Sequence, residues 1–536
     1  MPLRLRLAAA RAVILLLCPF LWAPAAPASA TPPPAASPSP SGDGAVDYDA
    51  IDAYVHGRME ATHTPGLSYA VVGPEGPLHQ RSWGTDGRGD RVTAETPFLW
   101  GSVAKPVTAT AVMTLVQDGR LSLEDRVVDH LPDFRFGGPG HASRITVRHL
   151  LSHTAGLPEL PTAKVTDCVD ADCPSALERL RALDDIGPLG PPGAEYAYAS
   201  ANYLVLTALV EAVTGRPYAD YLRESVLAPA GMDGAITGQG TARRRHLSPG
   251  HQLLWGFPAA IADGVDDDGA GYGYLGGDLH DLAAFASFQL RAGTTAEGDA
   301  VLTPESVRLM REEGRLQPGG TGTGYGLGWR VGGLEAPLDD AIWHTGATPG
   351  YSAMLFLLPD QDLALVLQQN LYGLLQDDAI MQVGFGAARM LAGGSAPGGA
   401  SASTYHVTVW GLTVLAVALT LAAGRSAWLL RRPPKPAAWP RRATVTVLWC
   451  VAGAAPCLAA VPLLGEAGLG QMMTWVPDVT IAASVAAVAG VLTALLRLLL
   501  AIRPLTRRAG RRRPPQPSGE RPQRRIAPSP QPVSEP

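Results

Sequence analysis

Apolar positions along this chain fall into three patterns. Short alternating or continuously apolar runs predict strands: GLSYAVVG (66–73), PLHQRSWG (77–84), YGLGWRVGG (325–333), AIWHTGA (341–347), YSAMLFLLP (351–359) and LALVLQQN (363–370). Longer runs predict helices: DYDAIDAYVHGRMEA (47–61), TATAVMTLVQDG (108–119), ALERLRAL (176–183), NYLVLTALVEAVTG (202–215) and DLAAFASFQLRAG (281–293). Strands at both ends with helices between them imply an α/β (α+β) fold. Its antiparallel sheet is flanked by helices and completed from both termini, with a helical subdomain inserted.

The third pattern is three continuous apolar spans, Tyr405–Ala423, Ala443–Leu464 and Val479–Leu496. At ~1.5 Å rise per residue each is long enough to cross a bilayer core of about 30 Å. Arg497 at the edge of the third is expected to snorkel. The segment joining the first two spans and the tail after the third are arginine-rich, whereas GEAGLGQMMTWVPD (465–478) has no basic residue. This asymmetry places the arginine-rich segments in the cytoplasm and the body outside.

Charge sharpens the same division. Residues 31–391 carry 24 Lys and Arg against 44 Asp and Glu, and residues 392–536 carry 16 against 4. The acidic body excludes nucleic acid as a partner. The basic tail is explained by topology and by contact with anionic lipid.

At the N-terminus a basic start, an apolar run and a small-residue site after Ala30 read as a secretory signal. The expected organisation is therefore a signal peptide (1–30), a Pro/Ser linker (31–46), a folded body (47–392) and a Gly/Ala/Ser linker (393–404). The membrane spans (405–502) and a basic tail (503–536) follow. In an exported body Cys168 and Cys173 are placed for a small-loop disulfide, or remain as two free thiols. Cys450 and Cys457 read as packing residues.

Of 43 Lys and Arg in the chain three are lysines, so a position that keeps lysine invites a chemical reason. Lys105 follows Ser102 by three residues in LWGSVAKPVTATAVM, where a helix is expected to begin near Ser102. At that spacing hydroxyl and amine share one face. A buried amine loses its proton more readily, and a neutral amine can take the serine proton.

Downstream lie ITVRHLLSHTAGLP (145–158), PGAEYAYASANYLVLTALVEAVTG (192–215) and WHTGATPGYSAMLFLLP (343–359). With S-x-x-K these motifs resemble the serine β-lactamase and penicillin-binding protein superfamily. The similarity is to the branch that contains class C β-lactamases, D-alanyl-D-alanine carboxypeptidases, D-aminopeptidases and related esterases. The resemblance implies that Ser102 is the acylated nucleophile, Lys105 its proton acceptor and Tyr198 a proton shuttle. Ser200 stands where the family usually has asparagine, and His344-Thr345-Gly346 where it usually has K-T-G; these four residues are expected to contact substrate. The backbone N–H groups of Ser102 and Ala347 would form the oxyanion hole.

Other signals read as structural. Asn202 need not face the same cleft as Ser200. Tyr196 is expected to pack. His149 and His153 are four apart without an H-E-x-x-H pattern, so no metal is expected. DGVDDDG (263–269) lacks the order of a calcium loop and is expected to be a solvated turn. No cofactor is implied. The sequence supports a membrane-anchored serine hydrolase acting on D-amino-acid peptides, esters or β-lactams, with a small molecule or peptide as substrate. A cyclising thioesterase of the penicillin-binding-protein type and a non-turnover sensor are the rivals.

Overall fold

The computed structural model describes residues 46–170, 172–314, 324–433, 439–466 and 468–503. The expected signal peptide, the expected linker up to residue 45 and the expected tail from residue 504 lie outside them.

The first helix, α1 (Tyr48–Ala61), is capped by Asp47, whose side chain accepts from the Ala50 N–H. Strands β1 (Gly66–Gly73) and β2 (Gly76–Gly84) form a hairpin. Two short strands, β3 (Phe98–Leu99) and β6 (Gly276–Gly277), pair with each other, and β4 (Gly250–Leu254) forms a second hairpin with β5 (Phe257–Ala262). The chain returns to the main sheet through β7 (Gly324–Tyr325), β8 (Arg330–Val331), β9 (Ile342–Thr348), β10 (Tyr351–Leu358) and β11 (Leu363–Gln369). The seven-stranded order is β2-β1-β11-β10-β9-β8-β7, antiparallel throughout.

Pairing of β1 with β11, Leu67 opposite Gln369 and Val72 opposite Ala364, ties the two ends of the body together. All eight residues of β1 and of β10 are buried, because both faces of the sheet are covered. The period of two sends Leu67, Tyr69 and Val71 to one core, with Ile51 and Val55 of α1 and Val383 and Ala387 of the later helix Asp377–Leu391. It sends Ala70 and Val72 to the other core, which contains the inserted helices.

Helix α2 (Ala104–Gln117) is buried from Ala104 to Leu115 and α3 (Ala201–Thr214) from Ala201 to Val210, the mark of helices inside a domain. The buried Thr108 and Thr114 return hydrogen bonds to their own helix and meet the Tyr218 and Tyr221 hydroxyls. Helix α4 (Leu279–Leu290), capped by Asp278, covers β1 and β11. Helix α5 is Asp377–Leu391.

Three long helices complete the chain: α6 (Ser403–Leu430), α7 (Trp439–Glu466) and, after the short α8 (Gly468–Trp475), α9 (Pro477–Ile502). All three contain windows long and apolar enough to cross a membrane. A Cβ on Gly453 would lie 2.3 Å from the Gly490 carbonyl oxygen and the reverse, so these glycines let α7 and α9 touch backbone to backbone.

The nucleophile segment is helical from the start near Ser102, as expected: a 3-10 turn (Gly101–Val103) runs directly into the α-helix at Ala104. Two other stretches differ from expectation. DGVDDDG is not a solvated turn: Asp266 is completely buried and forms a two-pronged ion pair with Arg179, 2.7 and 2.9 Å, because a carboxylate taken from water needs such a partner. Arg497, expected to snorkel, places its guanidinium 4.6 Å over the Trp449 ring of α7, which offers it a negative π-face. The β4–β5 hairpin is not among the predicted strands. Its two turn residues, Trp255 (φ 53°) and Gly256 (φ 93°), are left-handed, as a two-residue hairpin turn requires.

Candidate active site

Ser102 is held in the 3-10 turn just ahead of α2 and faces strand β9. The approach is close: a Cβ on Gly101 (φ 56°) would fall 2.0 Å from the Ala347 nitrogen, and one on Gly346 would fall 2.0 Å from the Trp100 carbonyl oxygen and 2.6 Å from the Ser102 nitrogen. Glycine at both positions lets β9 reach the start of the helix. The backbone nitrogens of Ser102 and Ala347 are brought to the same place as a result.

Lys105, in the first turn of α2, is wholly buried. Its Nζ lies 2.7 Å from Ser102 Oγ, 2.8 Å from the Tyr272 carbonyl oxygen and 3.4 Å from Ser200 Oγ. Burial pulls its pKa down from 10.5 to about 7; Glu159 and Asp167 oppose that and Arg330 adds to it. Three acceptors match the three hydrogens of an ammonium. Once neutral, the amine donates to Tyr272 and Ser200 and has its lone pair free for the serine proton.

Tyr198, just before α3, interacts through its phenol with Ser102 and lies with its ring centroid 4.9 Å from Lys105 Nζ. Burial holds its pKa well above the ordinary 10, with Arg330 and Ser102 acting in the opposite direction, so the resting phenol keeps its proton. Ser200 N donates to Glu159 at 2.8 Å, and its hydroxyl accepts from Lys105. Asn202 is buried elsewhere: its amide donates to the Ala199 carbonyl and lies 3.1 Å from His153 Nδ1.

Strand β9 supplies Thr345, partly open to the cleft, and His344, completely buried. The His344 Nδ1 lies 2.6 Å from the Thr345 carbonyl oxygen and so carries the hydrogen; Nε2, 3.0 Å away, accepts from the Tyr325 hydroxyl. Burial keeps the ring neutral, its pKa well below 6.5, with Arg330 and Lys105 adding to the effect. Both nitrogens are thus engaged by the protein.

The cation at this end of the cleft is Arg330 on β8. Its guanidinium lies 5.4 Å from the Tyr198 ring centroid and 5.3 Å from that of Trp343, and among the described residues no carboxylate forms an ion pair with it. Sequence reading passed over it. The period of two was a usable signal, since Trp329 and Val331 are buried and Arg330 between them points the other way.

The two histidines of RHLLSH separate. His149 Nδ1 accepts the Thr146 N–H at the start of a short helix, Val147–Leu151. His153, left-handed at φ 56° and wholly buried, accepts the Ala199 N–H on Nδ1 and packs 4.3 Å from the Tyr198 ring. Tyr196, expected to pack, is 44% exposed and stacks on Tyr325 at the cleft mouth. Among the described residues no group of three His, Cys, Asp or Glu side chains could hold a metal ion. The Cys168–Cys173 disulfide is formed beside Asp266, whose carboxylate accepts the Cys168 N–H.

A hydroxyl paired with a buried, easily neutralised amine beside two converging backbone donors is an arrangement able to form and hold an acyl-enzyme. Known proteins share this chain's fold and part of its sequence. Penicillin-binding protein 4 of Amycolatopsis lactamdurans is 32% identical over 319 residues, 58% of this chain and 81% of the relative. The fold matches that of a penicillin-binding protein homologue from Pyrococcus abyssi, with TM-score 0.55, 21% identity, and coverage of 65% of this chain and 78% of that one. It also matches D-amino acid amidase from Ochrobactrum anthropi SV3, with TM-score 0.53, 22% identity, and coverage of 64% and 97%. The family model for Beta-lactamase matches residues 51–383, more than half of the chain, and with the relative above it makes this protein a serine hydrolase of the beta-lactamase family.

Proposed function

We propose that this chain is an exported peptidase, anchored by its three C-terminal helices, that processes peptides ending in D-amino acids through an acyl-enzyme on Ser102. The observation that carries the reading is the 2.7 Å contact between Ser102 Oγ and the amine of a wholly buried lysine. Neutral Lys105 takes the serine proton as Oγ attacks the scissile carbonyl carbon. The backbone N–H groups of Ser102 and Ala347 hold the oxyanion. Tyr198, protonated at rest, passes a proton to the leaving amine and is reprotonated from Lys105. Water then cleaves the ester and restores Ser102.

Arg330 supports a carboxypeptidase form of the reaction, because a guanidinium at the cleft end suits a free α-carboxylate. Thr345 on the neighbouring strand offers a hydroxyl to the same group, while His344 holds Tyr325 and the strand in place. Ser200, bonded by Lys105, meets the substrate amide with a shorter reach than an asparagine. A penicillin-binding relative agrees with such a substrate. The acidic body, the arginine-rich segments beside the spans and the disulfide support a body outside the membrane.

The test is intact mass of the full chain in detergent after mixing with a fluorophosphonate, a penicillin or a D-Ala-D-Ala peptide, alongside Ser102→Ala. A covalent adduct on the unmodified chain and none on Ser102→Ala is expected. Equal labelling of Ser102→Ala overturns the assignment. Labelling at Ser102 without turnover of any ester, D-peptide or β-lactam favours the sensor reading.

A further inference from the structure

The short helix α8, between the second and third long helices, is bonded to the body beside the active site. Gln471 Nε2 donates to the carbonyl oxygens of Ala163 (2.6 Å) and Thr166 (3.0 Å), and Trp475 Nε1 donates to Asp167 Oδ2 (3.0 Å). The neighbouring Thr474 carbonyl accepts from Gln252, and the Trp475 ring meets Tyr372 edge-on at 5.9 Å. Asp478, at the start of α9, accepts from the Trp255 N–H and the Tyr405 hydroxyl. Every contact in this set joins the membrane helices to the hydrolase body or braces that junction.

The segment held by Gln471 and Trp475, two short helical turns (Glu159–Thr162 and Ala163–Val165) ending at Asp167, carries groups that meet the site. Its first residue, Glu159, accepts from Ser200 N. Its last, Asp167, is left-handed at φ 59°, a costly conformation for a residue with a Cβ. The Asp167 N–H donates to Tyr272 OH at 2.7 Å, and the Tyr272 carbonyl takes the hydrogen bond from Lys105 Nζ. Asp167 Oδ1 accepts from Tyr274 OH at 3.1 Å. Trp475 is therefore joined to Lys105 through two residues, Asp167 and Tyr272.

We infer that α8 is a positioning element of the active site: through Gln471 and Trp475 the membrane domain fixes the 159–167 segment, and with it the residues bonded to Ser200 and Tyr272 beside Lys105. Electrostatics give the link a direction. Around the amine, Glu159 and Asp167 favour the charged form, while Arg330 disfavours it. His153 and His344 are neutral neighbours, and the Tyr198 and Tyr203 rings lie 4.9 and 5.6 Å from Nζ. Around Asp167, burial raises the carboxyl's pKa, the Trp475 and Tyr274 donors lower it, and Asp266 raises it. Loss of the Trp475 donor weakens the Asp167 anion, so Lys105 loses a negative neighbour and gives up its proton at lower pH.

The inference rests on Ser102 and Lys105 acting as a pair and not on the choice of acyl substrate. The test is the pH dependence of fluorophosphonate labelling at Ser102 in the full-length protein in nanodiscs. Trp475→Phe keeps the ring against Tyr372 and removes the donor. Its acid limb should move down by about half a pH unit, with a lower plateau. Asp167→Asn should move the limb the same way, and Trp475→Phe combined with Asp167→Asn should move it no further than Asp167→Asn alone. A uniform loss of rate with the limb in place, or additive shifts in the double variant, overturns the inference. Failure of the unmodified chain to label overturns the pairing of Ser102 with Lys105 instead.

Discussion

The body and the helix bundle each enclose a long basic side chain and treat it in opposite ways. In the body, Lys105 is wholly buried among hydrogen-bond acceptors, and burial brings its proton within reach of neutral pH. In the bundle, half-buried Arg497 lies over the Trp449 ring, and Arg503 donates to the Leu430 and Arg432 carbonyls at the end of α6. A guanidinium keeps its charge in either setting, whereas an ammonium can give its proton away. Lysine thus stands where the proposed chemistry needs a base, and arginine where only a cation is needed. The rest of the packing follows the same division. The body fills its cores with large side chains such as Trp100, Trp329 and Phe356, and the bundle meets across Gly453, Gly490 and small residues such as Ala486.

The largest test of this contrast is Lys105→Arg. The charge stays and the base is lost, so the rate of Ser102 labelling should fall by about 100- to 10,000-fold. A rate within a few-fold of the unmodified chain would remove the distinction between the two cations. Arg330→Ala comes next. KM for a peptide with a free α-carboxylate should rise by roughly 10- to 100-fold, while a carboxamide-capped peptide changes little. Equal losses on both peptides would make Arg330 a support for Tyr198 and nothing more.

The effect of pH is smaller and follows from the same lysine. Acylation should rise with pH on a limb centred at about 7, where the amine becomes neutral. The sign for stability runs the other way from an ordinary ion pair. A lysine whose folded pKa is depressed costs stability in full below that pKa, and the cost fades as pH climbs to the unfolded value near 10.4. Lys105→Met should therefore raise the melting temperature most at pH 6 and hardly at all at pH 10, by differential scanning fluorimetry. The smallest effect is expected for Arg497→Lys. Loss of part of a cation–π contact should cost less than about 1 kcal/mol in the melting transition and leave Ser102 labelling unchanged.

How much of this was readable in the sequence varied with how local the cause is. Strands β1, β9, β10 and β11 were legible because their alternation or continuous apolar run reflects burial within each strand. The β4–β5 hairpin was not. It turns at Trp255, whose side chain donates to Thr413 and whose backbone donates to Asp478, both more than 150 residues away in sequence. Asp266 misled for the same reason: nothing in DGVDDDG points to Arg179, the partner that allows its burial. In the candidate site, Ser102, Lys105, Tyr198 and His344 were named from motifs. Arg330, Glu159 and Asp167 belong to no motif and are assembled by packing.

The sequence by itself determined the spacing that puts Ser102 and Lys105 on one face, the glycines that admit β9, and the length and composition of three spans. These are consequences of helix rise, of a missing Cβ and of local hydrophobicity. Only the tertiary structure decided that Lys105 is dry enough for the proposed role of a base, that both His344 nitrogens are engaged, and that α8 reaches the helical segment beside the site. Desolvation and hydrogen-bond partners depend on atoms brought from distant parts of the chain.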